Sequence, residues 1–533
     1  MVSGSCTFCF LRGTHFISYQ PYVFEWDDSE YLLRSIAVSR AFWSGNVHGL
    51  GAMVSIRPPA MTLLGLPWGP LASWDAAGNC FITLAAVISL LVAACLYLLL
   101  RIGVKPFFLV VASVCVGASM GPYPPGAPAV GEAVSRGLRG AFEMHGAATG
   151  FMADSLFAWT TLAAVLLIPY EARMPCPSIR AAVLRGILWG SILSLGVMTK
   201  LNFFYFIMFI VPTLFLITLH HGGLRLYWRR SPRNGTSLFL IRLHHGGLRR
   251  AMTALIAFAC VSVPAAIYLV RWGRPAFQNL KTSSFGGVAN FYYIPLLEFL
   301  GNTIRVSPGL VLSFVLTAAA LIYLVIKRRL MQSWPDFLAL LIIIGFGIVA
   351  FAAPNRQIRY AFPAIVALPF LAGILMSGKG HSAPSRSAAL AAGLVFCGLF
   401  AAGVPTRHRA NRQSLSRSDA VLAQAARCNA KSIVLATDSP TLNNYLMGLA
   451  IELSPWGAST RTLAYQAMSG VPIEEDFRAM SQSDLVVFQD GDALSPSFTN
   501  QRASEYERHI RQGESVPTRV GDDVSVYSMR CRP

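Results

Sequence analysis

The sequence predicts an α-helical polytopic membrane protein that ends in a small α/β domain. Of its 533 residues, 54% are hydrophobic and only 13% are charged, whereas a soluble domain carries about 25% charged residues. Several apolar runs reach the length needed to cross a bilayer. After Val404 the chain turns polar, and strand and helix patterns alternate. We therefore expect an N-terminal segment (1–78), a transmembrane bundle (79–404) and an accessory domain (405–533).

Ten apolar segments are interpreted as membrane spans, although the second is short for a helix that crosses a bilayer. They comprise residues 79–100, 107–120, 151–170, 181–199, 201–219, 251–270, 306–326, 336–353, 360–376 and 387–404.

Basic residues in alternate loops predict the orientation of these spans, because cytoplasmic loops are enriched in Lys and Arg. The basic loops carry Arg101 and Lys105, Arg173 and Arg180, Arg225 to Arg250, Lys327 to Arg329, and Lys379 and Arg386. The loops 121–150, 271–305 and 354–359, the segment 1–78 and the tail then face away from the cytoplasm. The formal net charge of +19 is thus attributed to topology and anionic lipid headgroups rather than to nucleic acid.

The N-terminal segment needs a means of export if it lies outside the cytoplasm. Residues 1–25 contain no long apolar run and do not resemble a signal peptide. Either a weak segment between Phe8 and Phe24 inserts, or a first transmembrane helix is missing upstream. The second interpretation is favoured.

The tail begins with a polar stretch, residues 405–418, that is interpreted as a linker. The sequence then predicts a buried strand over residues 431–437 and a helix over 440–452. It predicts further strands over 484–488 and 522–529. Cys428 and Cys531 flank this region. They could form a disulfide if the domain is exported.

A cluster of carboxylates precedes the bundle in the run Trp26-Asp27-Asp28-Ser29-Glu30-Tyr31. Asp27 and Glu30 have capping-box spacing, so one interpretation is an interfacial helix over 31–42 with Asp27 as its N-cap. A cap needs only one carboxylate. Crowded carboxylates raise one another's pKa, which suits a proton acceptor.

Cations and a further carboxylate follow at the ends of spans. The prolines of Arg57-Pro58-Pro59 fix a rigid turn that could display Arg57 to a phosphate. The alternative is that Arg57 merely extends its charged group to the membrane border, as long basic side chains do. Asp154 opens a span and could cap it. Lys200 lies between two spans. A last polar turn contains Arg356, Arg359 and Tyr360.

The order of these motifs resembles glycosyltransferase family 39, the polyprenyl-phosphate-sugar transferases that include protein mannosyltransferases and the lipid A aminoarabinose transferase. The resemblance covers about residues 24–376 and rests on five short motifs. They are Asp27-Asp28, Arg57-Pro58-Pro59, Ala153-Asp154, Met198-Thr199-Lys200 and Arg356-Gln357-Ile358-Arg359-Tyr360. It implies a GT-C-type bundle, with Asp28 (or Asp27) matching the catalytic Asp of the first loop and Asp154 the second acidic residue.

The resemblance implies a sugar donor linked to polyprenyl phosphate, whose phosphate is already a good leaving group. Catalysis then needs cations for the developing phosphate charge and one base for the acceptor hydroxyl. Asp28 is the expected base. The donor phosphate would be bound by Arg57, Lys200, Arg356, Arg359 and Tyr360. No cofactor is expected, although Asp27, Asp28 and Asp154 could hold a divalent cation.

The expected function is transfer of a sugar, at the outer face of the plasma (inner) membrane, to a lipid, glycan or protein acceptor. Its partners would be the lipid-linked donor, membrane lipids and that extracytoplasmic acceptor. One alternative is a transporter or flippase of an anionic lipid, but transporters place charges near the midplane and often show inverted repeats. A polysaccharide polymerase or ligase would share the donor and differ in its acceptor.

Overall fold

The structure is a computed structural model, and the residues that it describes leave several gaps. The described residues are 26–46, 57–71, 74–120, 153–174, 178–221, 225–230, 237–242, 245–285, 295–298, 300–301, 308–326, 334–354, 358–377, 393, 408–439, 442–453, 458–464, 466–467, 470–490, 501–513, 516–520 and 523–530.

Within the described residues, the N-terminal segment and the bundle are helical apart from one hairpin. The α-helices are α1 Trp26–Trp43, α2 Trp74–Ile102, α3 Pro106–Met120, α4 Ala153–Arg173, α5 Ile179–Thr199, α6 Phe204–His221, α7 His245–Val261, α8 Val263–Phe285, α9 Pro308–Ile326, α10 Trp334–Ala352 and α11 Phe362–Ser377. Short 3-10 helices cover Thr62–Trp68, Leu201–Phe203 and Ile358–Ala361. The antiparallel hairpin pairs β1 Arg225–Arg230 with β2 Ser237–Arg242.

Most predicted spans correspond to helices of the structure, such as 151–170 to α4 and 181–199 to α5. The predicted span 251–270 is instead broken into α7 and α8, which meet at an angle of 57°. Pro264 explains the break, because proline lacks the N–H that would continue the helical hydrogen bonds. The last predicted span, 387–404, lies outside the described residues except for residue 393.

Within the described part of the chain, four helical segments are long and apolar enough to cross a membrane, and the bent pair would make a fifth. The four are Ala153–Arg173, Ile179–Thr199, Leu201–His220 and Trp334–Ala352. Shorter apolar helices comprise Ala86–Ile102, Pro106–Val116, Val311–Tyr323 and Phe362–Ser377. The chain is therefore a multi-pass membrane protein, and its number of spans stays a prediction.

Helix α4 forms the centre of the bundle, and nearly all of its side chains are buried. It packs against α2, α5, α6, α10 and α11. Helices α5 and α7 approach closely at Gly186, where a Cβ atom would lie only 2.1 Å from the carbonyl oxygen of Ala254. The bundle core thus depends on a small side chain at this crossing.

The C-terminal domain has one five-stranded sheet in the order β4-β3-β5-β7-β6. Its elements are α12 His408–Arg427, β3 Ser432–Leu435, α13 Asn444–Leu453, β4 Ser459–Thr462, α14 Ile473–Gln482, β5 Leu485–Gln489, α15 Ala503–Gln512, β6 Pro517–Val520 and β7 Val524–Ser528. Strands β3, β4 and β5 are parallel, while β7 pairs antiparallel with β5 and β6. The sheet supports the predicted α/β domain in part, and it contains β4 and β6 in addition to the three predicted strands.

The start of this domain also differs from the sequence predictions. The predicted linker, residues 405–418, is helical from His408 onwards, because its polar residues belong to an amphipathic helix that buries Val421 and Ala425. Cys428, at the end of this helix, forms a disulfide. Its predicted partner, Cys531, lies outside the described residues.

Candidate functional site

Helix α1 carries the acidic cluster. It includes Trp26, so Asp27 and Asp28 lie in its first turn, and Asp27 is not the residue that precedes the helix, as the N-cap prediction required. The positions of these two side chains lie outside the described part of the structure. The helix covers 18 residues and is longer than predicted at both ends.

Glu30 is the buried anion of this cluster, with 4% of its side chain exposed. Its Oε1 lies 2.7 Å from Arg34 Nη2, and its Oε2 lies 2.7 Å from Arg57 Nη2. Two guanidinium groups therefore contact the two oxygens of this carboxylate. Sequence spacing alone does not reveal this role of Glu30, because Arg57 is distant in the chain.

The turn at Arg57 is held against the end of α5. Pro58 and Pro59 are buried and have no N–H to donate. The next residue, Ala60, donates its N–H to the carbonyl oxygen of Met198 at 2.7 Å. This hydrogen bond joins two of the predicted motifs, and it leaves Arg57, with 33% of its side chain exposed, over the ring of Tyr31 at 5.4 Å.

Asp154 and Lys200 form the second ion pair of this end of the bundle. Asp154 lies in the first turn of α4, and its Oδ1 accepts a hydrogen bond from Lys200 Nζ. Lys200 follows α5 in an extended conformation, with φ −149° and ψ 136°. Only 5% of the Asp154 side chain is exposed, against 19% for Lys200. The structure thus brings together two predicted site residues.

Aromatic rings surround the Lys200 ammonium group. Its Nζ lies 5.8 Å from the ring centroid of Phe157 and 5.5 Å from that of Tyr360. Such rings attract a cation through their negative faces. The structure therefore places Tyr360, a predicted site residue, beside Lys200. Arg359 precedes it in the same 3-10 helix, but its side chain, like all of Arg356, lies outside the described residues.

The site thus consists of two adjacent ion pairs, Glu30–Arg57 and Asp154–Lys200, joined by the hydrogen bond from Ala60. Each pair holds a partly exposed cation on a buried carboxylate, an arrangement that can bind an anion such as a phosphate. In the described ranges, no three His, Cys, Asp or Glu side chains are grouped so that they could hold a metal ion.

The opposite end of α4 carries ion pairs of a different kind. Arg173 donates two hydrogen bonds to Asp336, each of 2.7 Å, and a third to the carbonyl oxygen of Pro169. Glu171 is fully buried and accepts hydrogen bonds from Arg185 and from Trp189 Nε1. These pairs join α4 to α10 and α5.

Comparison with solved structures shows that the chain has a polytopic, GT-C-like membrane fold. It aligns over its whole length with the crystal structure of ArnT from Cupriavidus metallidurans bound to undecaprenyl phosphate, with a TM-score of 0.53, 11% sequence identity and 98% of that chain covered. The apo state of the same ArnT aligns over 97% of this chain and 96% of its own, with 12% identity and a TM-score of 0.48.

No family model and no curated protein matches the sequence. The relation to ArnT is therefore one of fold.

Proposed function

We propose that this protein is an integral-membrane glycosyltransferase that moves a sugar from a polyprenyl-phosphate donor to an acceptor outside the cytoplasm. The observation that carries the proposal is the joined pair of cation sites, Arg57 and Lys200, at one end of the bundle. A GT-C-like fold supports it, since the ArnT of similar fold was solved with undecaprenyl phosphate bound. We further propose that the chain belongs to glycosyltransferase family 39.

The two cations would bind the donor phosphate and stabilise the charge that develops on it. Arg57 is planar and offers paired N–H donors, whereas Lys200 supplies a compact charge beside two aromatic rings. Their buried carboxylate partners hold them in place before the donor binds, so little reorganisation accompanies the reaction. Arg356 and Arg359 are proposed as further phosphate ligands.

Asp28 is proposed as the general base. The acceptor hydroxyl oxygen attacks the anomeric carbon, the bond from that carbon to the phosphate oxygen breaks, and the phosphate takes the electron pair. Asp28 accepts the hydroxyl proton. It lies in the first turn of α1, two positions before Glu30, so the base and the phosphate cations belong to the same region of the fold.

We propose that the site faces the extracytoplasmic side of the plasma (inner) membrane. The disulfide at Cys428 supports this orientation, because disulfides persist in oxidising compartments and are rare in the cytosol. The prenyl chain would lie along the apolar helices of the bundle, where each buried methylene contributes about 0.8 kcal/mol.

The test is mass spectrometry of envelope lipids and glycans from cells that express the wild-type chain, the Asp28→Asn variant or neither. We expect the wild type to add the mass of one sugar residue to an envelope product. Asp28→Asn should insert into the membrane at the same level and give no such product.

A product formed by Asp28→Asn at the wild-type level would refute Asp28 as the base. If the wild type forms no sugar-containing product but moves a lipid-linked sugar across vesicle membranes, the protein is a transporter and the proposed function is wrong.

A further inference from the structure

Helix α13 of the C-terminal domain packs against helix α1. Its leucines at 446, 449 and 453 belong to the hydrophobic core of the bundle. Its Met447 and Ile451 belong to the core of the C-terminal domain. Because these two sets lie on different faces, α13 is buried between the two domains. Gly448 lies close to α1, since a Cβ atom there would be 3.3 Å from Leu33 Cδ2.

One ion pair fastens this contact. Arg40 of α1 contacts the Glu452 carboxylate through Nη1. Its Nη2 donates to the Glu452 carbonyl oxygen at 2.8 Å. That carbonyl belongs to the last turn of α13, where carbonyl groups lack helical partners and a cation is favourable. Arg40 thus satisfies both the side chain and the backbone of one residue.

Arg40 also contacts the chain that follows the Arg57 turn. Its Nε donates to the carbonyl oxygen of Leu71 at 2.5 Å. The intervening 3-10 helix is fixed to α1 as well, because the Gly65 N–H donates to Ser35 Oγ at 3.0 Å. Arg40 therefore joins its own helix, α1, to both the segment 57–71 and the C-terminal domain.

The same two pieces, α1 and the segment 57–71, supply Glu30 and Arg57. Arg40 lies ten residues after Glu30 on one continuous helix, a separation of about 15 Å at ~1.5 Å per residue. A rotation or shift of α1 against the segment would change the geometry of the Glu30–Arg57 pair. The Arg40–Glu452 contact opposes such a shift.

We propose that Arg40 and Glu452 are positioning residues through which the docked C-terminal domain sets the geometry of the Arg57 phosphate site. This inference rests on the proposed function, because undecaprenyl phosphate is the ligand that would report on it. The C-terminal domain then acts on the donor site through α1, without contacting the donor.

Glu452→Lys is the sharpest test, because it places a cation against Arg40 while leaving every residue of α1 unchanged. Asp490→Lys is the matched control. It changes the charge by the same amount at another exposed ion pair of the C-terminal domain, which Asp490 forms with Arg519. Glu452→Gln keeps a hydrogen-bond acceptor for Arg40, and Glu452→Ala is a milder disruption if Glu452→Lys does not fold.

The measurements are the Kd for undecaprenyl phosphate in detergent and hydrogen exchange of the α1 amides. We expect Glu452→Lys to weaken binding about tenfold, which is about 1.4 kcal/mol, and to speed exchange in α1. Glu452→Ala should weaken binding about threefold. Glu452→Gln and Asp490→Lys should stay within about twofold of the wild type.

Wild-type affinity in Glu452→Lys, or in Glu452→Ala if only that variant folds, would overturn the inference and leave the proposed function standing. Equal losses in Glu452→Lys and Asp490→Lys would also overturn it, since they would indicate a general charge effect. A wild-type protein that does not bind undecaprenyl phosphate would overturn the proposed function and this inference with it.

Discussion

Helix α4 carries ion pairs at both ends, and the two ends use them differently. It is 21 residues long, or about 30 Å at ~1.5 Å per residue. At its C-terminal end, Arg173 is bound by two carboxylate oxygens and a backbone carbonyl oxygen. At its N-terminal end, Asp154 holds Lys200 through one oxygen, and aromatic rings surround the ammonium group.

We interpret the Arg173 end as a structural use of charge, and the proposed function assigns the Lys200 end a role in binding phosphate. Arg173 donates hydrogen bonds to Asp336 and to the carbonyl oxygen of Pro169 in its own helix. The Arg173–Asp336 ion pair therefore joins α10 to α4. Lys200 presents a compact ammonium group with three donors, and Asp154 contacts it through Oδ1. A buried ion pair is by itself weak evidence for either use, so the geometry of the cation decides between them.

Lys200→Ala and Arg173→Ala form a matched pair of variants that should show the largest contrast. Each leaves a buried carboxylate without its cation, because Asp154 is 5% exposed and Asp336 is 6% exposed. We expect Lys200→Ala to lower the rate of sugar transfer by about 100-fold, as loss of one transition-state charge does. Arg173→Ala should stay within about threefold. The check is the initial rate in proteoliposomes at equal protein content.

Equal losses of rate in the two variants would show that Lys200 acts through stability alone, and the contrast between the ends of α4 would not hold.

Thermal unfolding should sharpen the structural side of the contrast. Arg173→Ala is expected to lower the free energy of unfolding by about 3 kcal/mol, since it leaves the buried Asp336 carboxylate without a cation. Replacing both partners, as in Arg173→Ala with Asp336→Leu, should recover most of that loss, because no unpaired buried charge remains. The measurement is a melting curve in detergent for both single variants and the double variant. A double variant that is less stable than Arg173→Ala would contradict this interpretation.

The smallest expected effect concerns Trp189, whose Nε1 donates to Glu171 at 3.2 Å. Trp189→Phe keeps most of the ring and removes this donor, so the stability should fall by about 1.5 kcal/mol. The rate of sugar transfer should not change. Melting curves and initial rates of the same preparation test both statements, and a lowered rate with an unchanged melting curve would refute them.

The sequence predicts which polar residues lie at the ends of the apolar spans, but it does not predict how they pair. Asp154, Lys200 and Tyr360 each follow or open an apolar span, so composition alone places them at the ends of helices. Their contacts depend on how the helices pack. The pair Glu30–Arg57 illustrates the limit, because local spacing assigned Glu30 to a capping box and only the tertiary fold brings Arg57 to it.

The C-terminal domain shows the same limit. The strands over 431–437 and 484–488 could be predicted because they are apolar and bounded by polar residues. Helix α13 was also predicted, yet its docking on α1 was missed. Its sequence did contain an indication, since apolar residues occupy two faces of the helix, as in a helix buried on both sides. The identity of the second surface cannot be read from that pattern.

The most direct test of the central claim compares the Kd for undecaprenyl phosphate with the Kd for undecaprenol, which has the same chain and no phosphate. We expect the wild type to prefer the phosphate by about 30-fold, or about 2 kcal/mol. The double variant Arg57→Ala with Lys200→Ala should bind the two lipids within about threefold of each other, while Arg173→Ala keeps the preference. A wild type without the preference, or a double variant that retains it, would contradict the assignment of this end of the bundle as a phosphate site.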